Sequence, residues 1–223
     1  MNLKAVATLL ALPLLAACAP QVETTIYLAD VQQVLADGKA LATPALLRIP
    51  QQGEEDCKKG LADLVEKVKA LTPVTGKAQC ISKDGDQLAE IETSVQIVTP
   101  DSAIDPVNLF TLVATPGTDG KADLAFHVLK PLDEIAKAIA PDDNTASDFT
   151  PTKFILHINN DGPGPAELLA GGEVFIDGAP HLAGSAPVTI QRRGAIEIRL
   201  SDVASAFTEA GNNYTFASVA ISP

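Results

Sequence analysis

The chain has 223 residues, with 28 acidic against 16 basic side chains and a formal charge of −12 at neutral pH. Arg192-Arg193 is its one adjacent arginine pair, so it lacks the clustered cations that phosphate backbones require, and nucleic acid is excluded as a partner. With no Trp and only 2 Tyr the core must be aliphatic, and the length suits one large domain or two small ones.

Met1 to Lys4 is a short basic start, and Ala5 to Ala17 is an apolar run ending in small residues. The run is shorter than the roughly 20 residues needed to span a bilayer and has the form of an export signal. Leu15-Ala16-Ala17-Cys18 resembles the lipobox of bacterial lipoproteins, whose cysteine is diacylated before the signal is cut away. The resemblance implies that residues 1–17 are removed and that Cys18 is the lipidation site. With Ala19 rather than Asp after the cysteine, it also implies an outer-membrane destination. The alternative is an ordinary signal peptide that leaves Cys18 as a free thiol. Only Ala19, Pro20 and Gln21 separate Cys18 from the first expected strand, a tether of about 10 Å when extended. Export makes a disulfide the expected state of Cys57 and Cys80, against two free thiols or half of a metal site.

Val22 to Leu28 reads as a strand, Ala29 to Leu35 as a helix stopped by Asp37-Gly38, and Ala45 to Ile49 as a returning strand. Glu54 to Leu71 is the clearest helix. Three acids open it, and Cys57, Leu61, Leu64, Val65, Val68 and Leu71 share one face. Lys77–Lys83 and Leu88–Val98 form a hairpin around Asp84-Gly85-Asp86, with Cys80 able to face the helix. A second hairpin joins Leu109–Thr115 to Lys121–Leu129. Pro131 opens a short helix through Ala140, and the loop-like Pro141–Pro151 is the one candidate boundary. It divides an α+β region over 18–149 from a β-rich region over 150–223, which together can also form one ectodomain. Beyond it, Lys153–Asn159, Glu173–Ile176, Val188–Gln191 and Ala195–Leu200 read as strands, Ser201–Ala210 as a helix and Tyr214–Ile221 as a last strand.

One pattern occurs three times: Leu, any residue, an acid, then Val or Ile, two variable positions, a small apolar and a large apolar residue. It spans Leu28–Leu35, Leu132–Ile139 and Leu200–Phe207. Each copy reads as a short helix between two strands, with Asp30, Glu134 and Asp202 as helix-start acids rather than a three-carboxylate site.

Val22-Glu-Thr-Thr-Ile-Tyr-Leu-Ala-Asp-Val31, close behind Cys18, resembles the mature start of small prophage-encoded lipoproteins. So do Ile158-Asn-Asn-Asp161 and Val174-Phe-Ile-Asp-Gly-Ala-Pro180. These lipoproteins form an uncharacterised family, known as a domain of unknown function. The resemblance implies a lipid-anchored bacterial or prophage protein and brings no catalytic residues.

Candidate chemistry is sparse. His127 and His157 both lie on the more polar faces of their strands and would form a two-His site only if those strands were neighbours. His181 is the third histidine. Ser185 sits in Ala-Gly-Ser-Ala-Pro, not in a nucleophile elbow, and there is no phosphate loop. Asp84-Gly85-Asp86 and Asp142-Asp143 lack the ligand spacing of an EF-hand. The expectation is an α+β fold of antiparallel sheets with one long amphipathic helix and three strand–helix–strand units. The expected function is a non-catalytic envelope lipoprotein without cofactor or metal, held to the membrane by its lipid and binding a membrane-bound protein. A prophage factor that alters the host surface would fit. A periplasmic enzyme and a purely structural lipoprotein are the competing classes.

Overall fold

Short β-branched and aliphatic runs separated by Gly, Pro and Asp make strands throughout most of this chain. The structure, a computed structural model, describes residues 19–105, 107–130 and 151–220. The signal segment, Cys18, the expected helix over 131–140 and all but the last residue of the loop over 141–151 lie outside these residues. Among the described residues thirteen strands join one sheet. They are β1 (Gln21–Tyr27), β2 (Leu41–Gln51), β3 (Val74–Lys83), β4 (Asp86–Val98), β5 (Phe110–Pro116), β6 (Lys121–Val128) and β7 (Lys153–Asn159). After them come β8 (Ala166–Ala170), β9 (Val174–Ile176), β10 (Ala179–His181), β11 (Val188–Ile190), β12 (Ala195–Leu200) and β13 (Tyr214–Ala220). Three helices, α1 (Leu28–Asp37), α2 (Glu54–Lys69) and α3 (Asp202–Glu209), complete the described set.

The strands run β10-β9-β12-β7-β1-β2-β4-β5-β6-β13-β8-β11, with β3 branching from β4. The pairs β1–β7 and β4–β5 are parallel and the others antiparallel. This corrects the α+β expectation. Of the described residues 50% are strand and 19% helix, so a single curled mixed sheet is their body, and the helices are short pieces laid against it. Strands as brief as Ala166-Glu-Leu-Leu-Ala170 and Ala179-Pro-His181 are too short to show a period. Which distant strands lie side by side is not written in local pattern at all. Strands from either side of residue 150 interleave: β7 pairs with β1, and β13 with β6.

The curl makes the core. Phe126 of β6 lies 5.0 Å from Phe154 of β7 and 5.6 Å from Phe216 of β13, and Phe110 meets Phe154 edge-on at 5.5 Å. Strands β6 and β7 stand five places apart in the order, so their inner faces meet only because the sheet wraps round. Strand β4 is the branch point: one edge pairs with β2 along its length, and the other divides between β3 and β5. Central β2 carries Pro44 and Pro50 without breaking, because its ladder with β1 covers only Ala45–Arg48, between the two prolines.

The hairpin turn at Asp84-Gly85 has both residues at positive φ, 55° and 92°, the form that matches strand twist. Helix α2 lies on β3 and β4, and Cys57 is bonded to Cys80 with Cα atoms 6.0 Å apart. The staple between helix and sheet is therefore present.

Two copies of the repeated pattern are helices between strands, and the third, 132–139, lies outside the described residues. The two do not pack alike. In α1, Val31 and Val34 are buried, whereas in α3 the matching Val203 and Ala206 face out. Helix α1 begins at the pattern's Leu but α3 begins at its acid, two residues later. Two residues turn a helix by about 200°, which exchanges its inner and outer faces. The repeat is one of sequence and not of packing.

Candidate functional site

Strand alternation sends Val22, Thr24 and Ile26 of β1 inward and leaves Glu23 on the outer face. On the same face β2 presents Arg48, in register with Glu90 of β4. Arg48 is only 5% exposed. Its Nε donates to Glu90 Oε2 at 2.7 Å and its Nη1 to Glu23 Oε2. Lys83 Nζ stands 3.6 Å from Glu23 Oε2, His157 Nε2 is 3.2 Å from Glu23 Oε1, and Gln79 donates to Glu90 Oε1 at 2.9 Å. The network links β7, β1, β2, β4 and β3.

Burial alone would raise the pKa of Glu23. The hydrogen bond and charge of Arg48, reinforced by Lys83 and His157, outweigh it and hold the carboxyl below its ordinary value. Burial disfavours the Arg48 cation, but its two carboxylate partners more than offset this and raise its pKa. Acid and base here satisfy one another, and the arrangement acts as a tie across strands. Sequence reasoning missed it. Its signal was a lone charge in the run Leu46-Leu47-Arg48-Ile49.

The second site lies at the C-terminal ends of the parallel pair, where Tyr27 of β1 stands beside Asn159 of β7. Helix α1 starts at once after β1, and Tyr27 offers it no side-chain cap. Asp161 takes that role from another strand, its Oδ1 accepting the Ala29 N–H at 3.0 Å. Buried Asn160 pins the same loop, donating to the carbonyls of Gly164 and Ile190 at 2.9 Å each. Between loop and helix runs a crevice whose walls include Leu28, Ala29, Gln32, Pro163, Pro165 and Ala220. Burial, and then the charge of Asp161, raise the pKa of Asp30 in the first turn of α1. With the Ala29 N–H already taken by Asp161, the crevice offers apolar and proline surface rather than an anion pocket.

The expected site residues are scattered. His127 lies on β6 and His157 on β7, so the two-His site does not form. His181 is on β10, and Ser185 Oγ accepts from the Leu182 N–H within a loop. Asp30 follows the end of β1, while Asp202 follows β12, which runs antiparallel to β7, so the two acids lie at opposite ends of the sheet. Cys18, Glu134, Asp142 and Asp143 fall outside the described residues. Among the described residues no three His, Cys, Asp or Glu side chains stand together as metal ligands, and no helix is long and apolar enough to cross a membrane.

Two of the three stretches that carry the lipoprotein resemblance meet here. Val22–Val31 forms β1 and the first turn of α1, and Ile158–Asp161 ends β7 and caps that helix. Val174–Pro180 forms β9 and most of β10, joined to β7 through β12. No curated protein and no solved structure matches the chain. Residues 20–222 match DUF7424, a domain of unknown function, and the chain belongs to that family.

Proposed function

We propose that the protein is a lipid-anchored lipoprotein of a bacterial envelope, of prophage type, which binds another membrane-bound component and is not an enzyme. The observation that carries this reading is how closely the body follows Cys18. Ala19 is 1% exposed, and the Pro20 carbonyl accepts the Lys153 N–H at 2.8 Å, so the chain is fixed to the body within two residues of the cysteine. A chain built this way holds its body against whatever holds Cys18. The crevice at the far ends of β1 and β7 is the surface offered to a partner, about 23 Å away along the strand. The mutual pairing of Glu23, Arg48 and Glu90 supports binding over catalysis, since these groups are engaged in holding strands.

The test is expression of the full chain with its own leader in a Gram-negative host fed a labelled fatty acid. Label on the mature protein, lost in Cys18→Ser together with membrane retention, is the expected result. A mature chain that fractionates with membranes without label, or keeps its label in Cys18→Ser, overturns the reading.

A further inference from the structure

Helix α3 is inverted relative to an ordinary surface helix. Ala204, Ser205 and Thr208 face the sheet, and the Thr208 hydroxyl donates back to the Ala204 carbonyl. The apolar side chains are on the outside: Val203 is 71% and Phe207 48% exposed, with Ala206 and Ala210 also exposed between and beyond them. These four positions, spaced i, i+3, i+4 and i+7, form one continuous stripe. The Phe207 ring also leans on Tyr214, at 6.1 Å between centroids, which widens the surface. Helices normally bury such a stripe, and exposed contiguous apolar surface marks a contact.

Its location identifies the occupant. Glu209, two residues beyond Phe207, accepts the Thr152 N–H at 2.6 Å, and the neighbouring Lys153 N–H bonds the Pro20 carbonyl. One residue of chain therefore separates the two bonds, which places the end of α3 within about 10 Å of Pro20. Ala19, the first described residue and the one that follows Cys18 in the chain, lies next to this point. The stripe and the attachment of Cys18 share one end of the sheet, opposite the Asp161 crevice.

We propose that the Val203–Ala206–Phe207–Ala210 face of α3 docks on the lipid surface itself, as a second, non-covalent contact beside the acyl anchor. This inference rests on the lipid-anchored reading of Cys18. Apolar side chains around Phe207 enter the interfacial layer, and the anchor removes most of the entropic cost of bringing them there. The contact fixes the orientation of the body, with β1 directed away from the bilayer. Asp202 and the excess of acidic over basic side chains favour zwitterionic over anionic lipid for this contact.

The experiment uses the full, processed chain reconstituted in phosphatidylethanolamine–phosphatidylcholine vesicles, with a nitroxide at Ala206→Cys or, as a distal control, at Lys39→Cys. The mass of the same preparation reports acylation of Cys18. On an acylated chain, the 206 label is expected to be reached by oxygen at least fivefold more readily, relative to a water-soluble nickel quencher, than the 39 label. Val203→Ser with Phe207→Ser, both at exposed positions, should return an Ala206→Cys label to water while the Cys57–Cys80 bond and the circular dichroism stay unchanged. An acylated chain whose 206 label remains in water overturns this inference and leaves the anchor standing. Spin–spin broadening between 206 labels overturns it in favour of a second copy of the chain. An unacylated Cys18 overturns the anchor reading, and this inference with it.

Discussion

Replacing Arg48 with Met tests the charge network directly. Met keeps the stem that packs between β1 and β4 but removes the guanidinium that joins Glu23 to Glu90. Arg48 is buried, and the Glu23 and Glu90 side chains are 19% and 14% exposed, so both carboxylates would lose their main partner with little water in reach. Removing one member of a buried pair costs roughly 3–5 kcal/mol. Lys83 and Gln79 remain beside the carboxylates, which places Arg48→Met at the lower end, about 3 kcal/mol at pH 7. For a chain of this length that is a fall in Tm of about 9 °C. Urea titration of the disulfide-intact protein measures it.

Acid provides a check that simple loss of packing would fail. In the parent, the Glu23 pKa lies below its ordinary 4.5, so its stabilisation is present above that value and lost as pH falls through the lower folded value. In Arg48→Met the chief lowering influence is gone and burial raises the same pKa instead. The variant then sheds its penalty as the carboxyl takes up a proton. The stability gap between parent and variant should therefore narrow from pH 7 to pH 4. Glu23→Gln and Glu90→Gln, added to Arg48→Met, should recover more than half of the loss. A cost under about 1 kcal/mol at pH 7, or a gap that does not change with pH, would refute the reasoning.

Three further outcomes are expected. Cys57→Ser with Cys80→Ser frees a loop closed across 23 positions and should cost about 3 kcal/mol by urea titration; an unchanged midpoint would mean that the staple adds nothing. Asp161→Ala removes the acceptor of the Ala29 N–H and should cost about 1 kcal/mol, whereas Asp161→Asn should retain most of it. Both variants should lower the Asp30 pKa, read by carboxyl NMR, because both remove a neighbouring negative charge. Thr111 is fully buried and its hydroxyl has no hydrogen-bond partner among the described residues, so Thr111→Val should stabilise the fold by about 1 kcal/mol; destabilisation would point to a bound water there.

What was legible in the sequence was local. Asp84-Gly85 named its turn, Asp37-Gly38 named the end of α1, and Gly38 closes that helix at φ 69° with its N–H on Val34. The stripe from Cys57 through Val68 named both the helix and the cysteine that reaches Cys80. What was hidden was relational. Glu23 and His157 meet only because β1 and β7 run parallel with Glu23 beside Ile155, a pairing no local period announces. Asp161 caps α1 for the same reason, and Tyr27 in the cap position gave no hint of a donor from elsewhere. The α+β expectation failed at this level: the helices were legible one by one, but the sheet that outweighs them is assembled from contacts between distant strands.

The parallel pairing of β1 and β7 also gives the molecule a direction. Both strands start at the end where Pro20, Lys153 and the tail of α3 meet, and both finish at the end where Asp161 holds the start of α1. On the sequence alone, Ala19 to Gln21 is a tether of about 10 Å. In the structure Ala19 is buried and Pro20 is bonded to β7, so that slack is largely taken up by the fold. On the proposed anchor, Cys18 can rise only a residue or so from the lipid before β1 must follow, and the crevice then stands at a height set by a seven-residue strand. On that anchor, a rigid post of that height cannot reach far from its membrane. It meets only what passes at the same level along the same membrane, and so the proposed partner is membrane-bound.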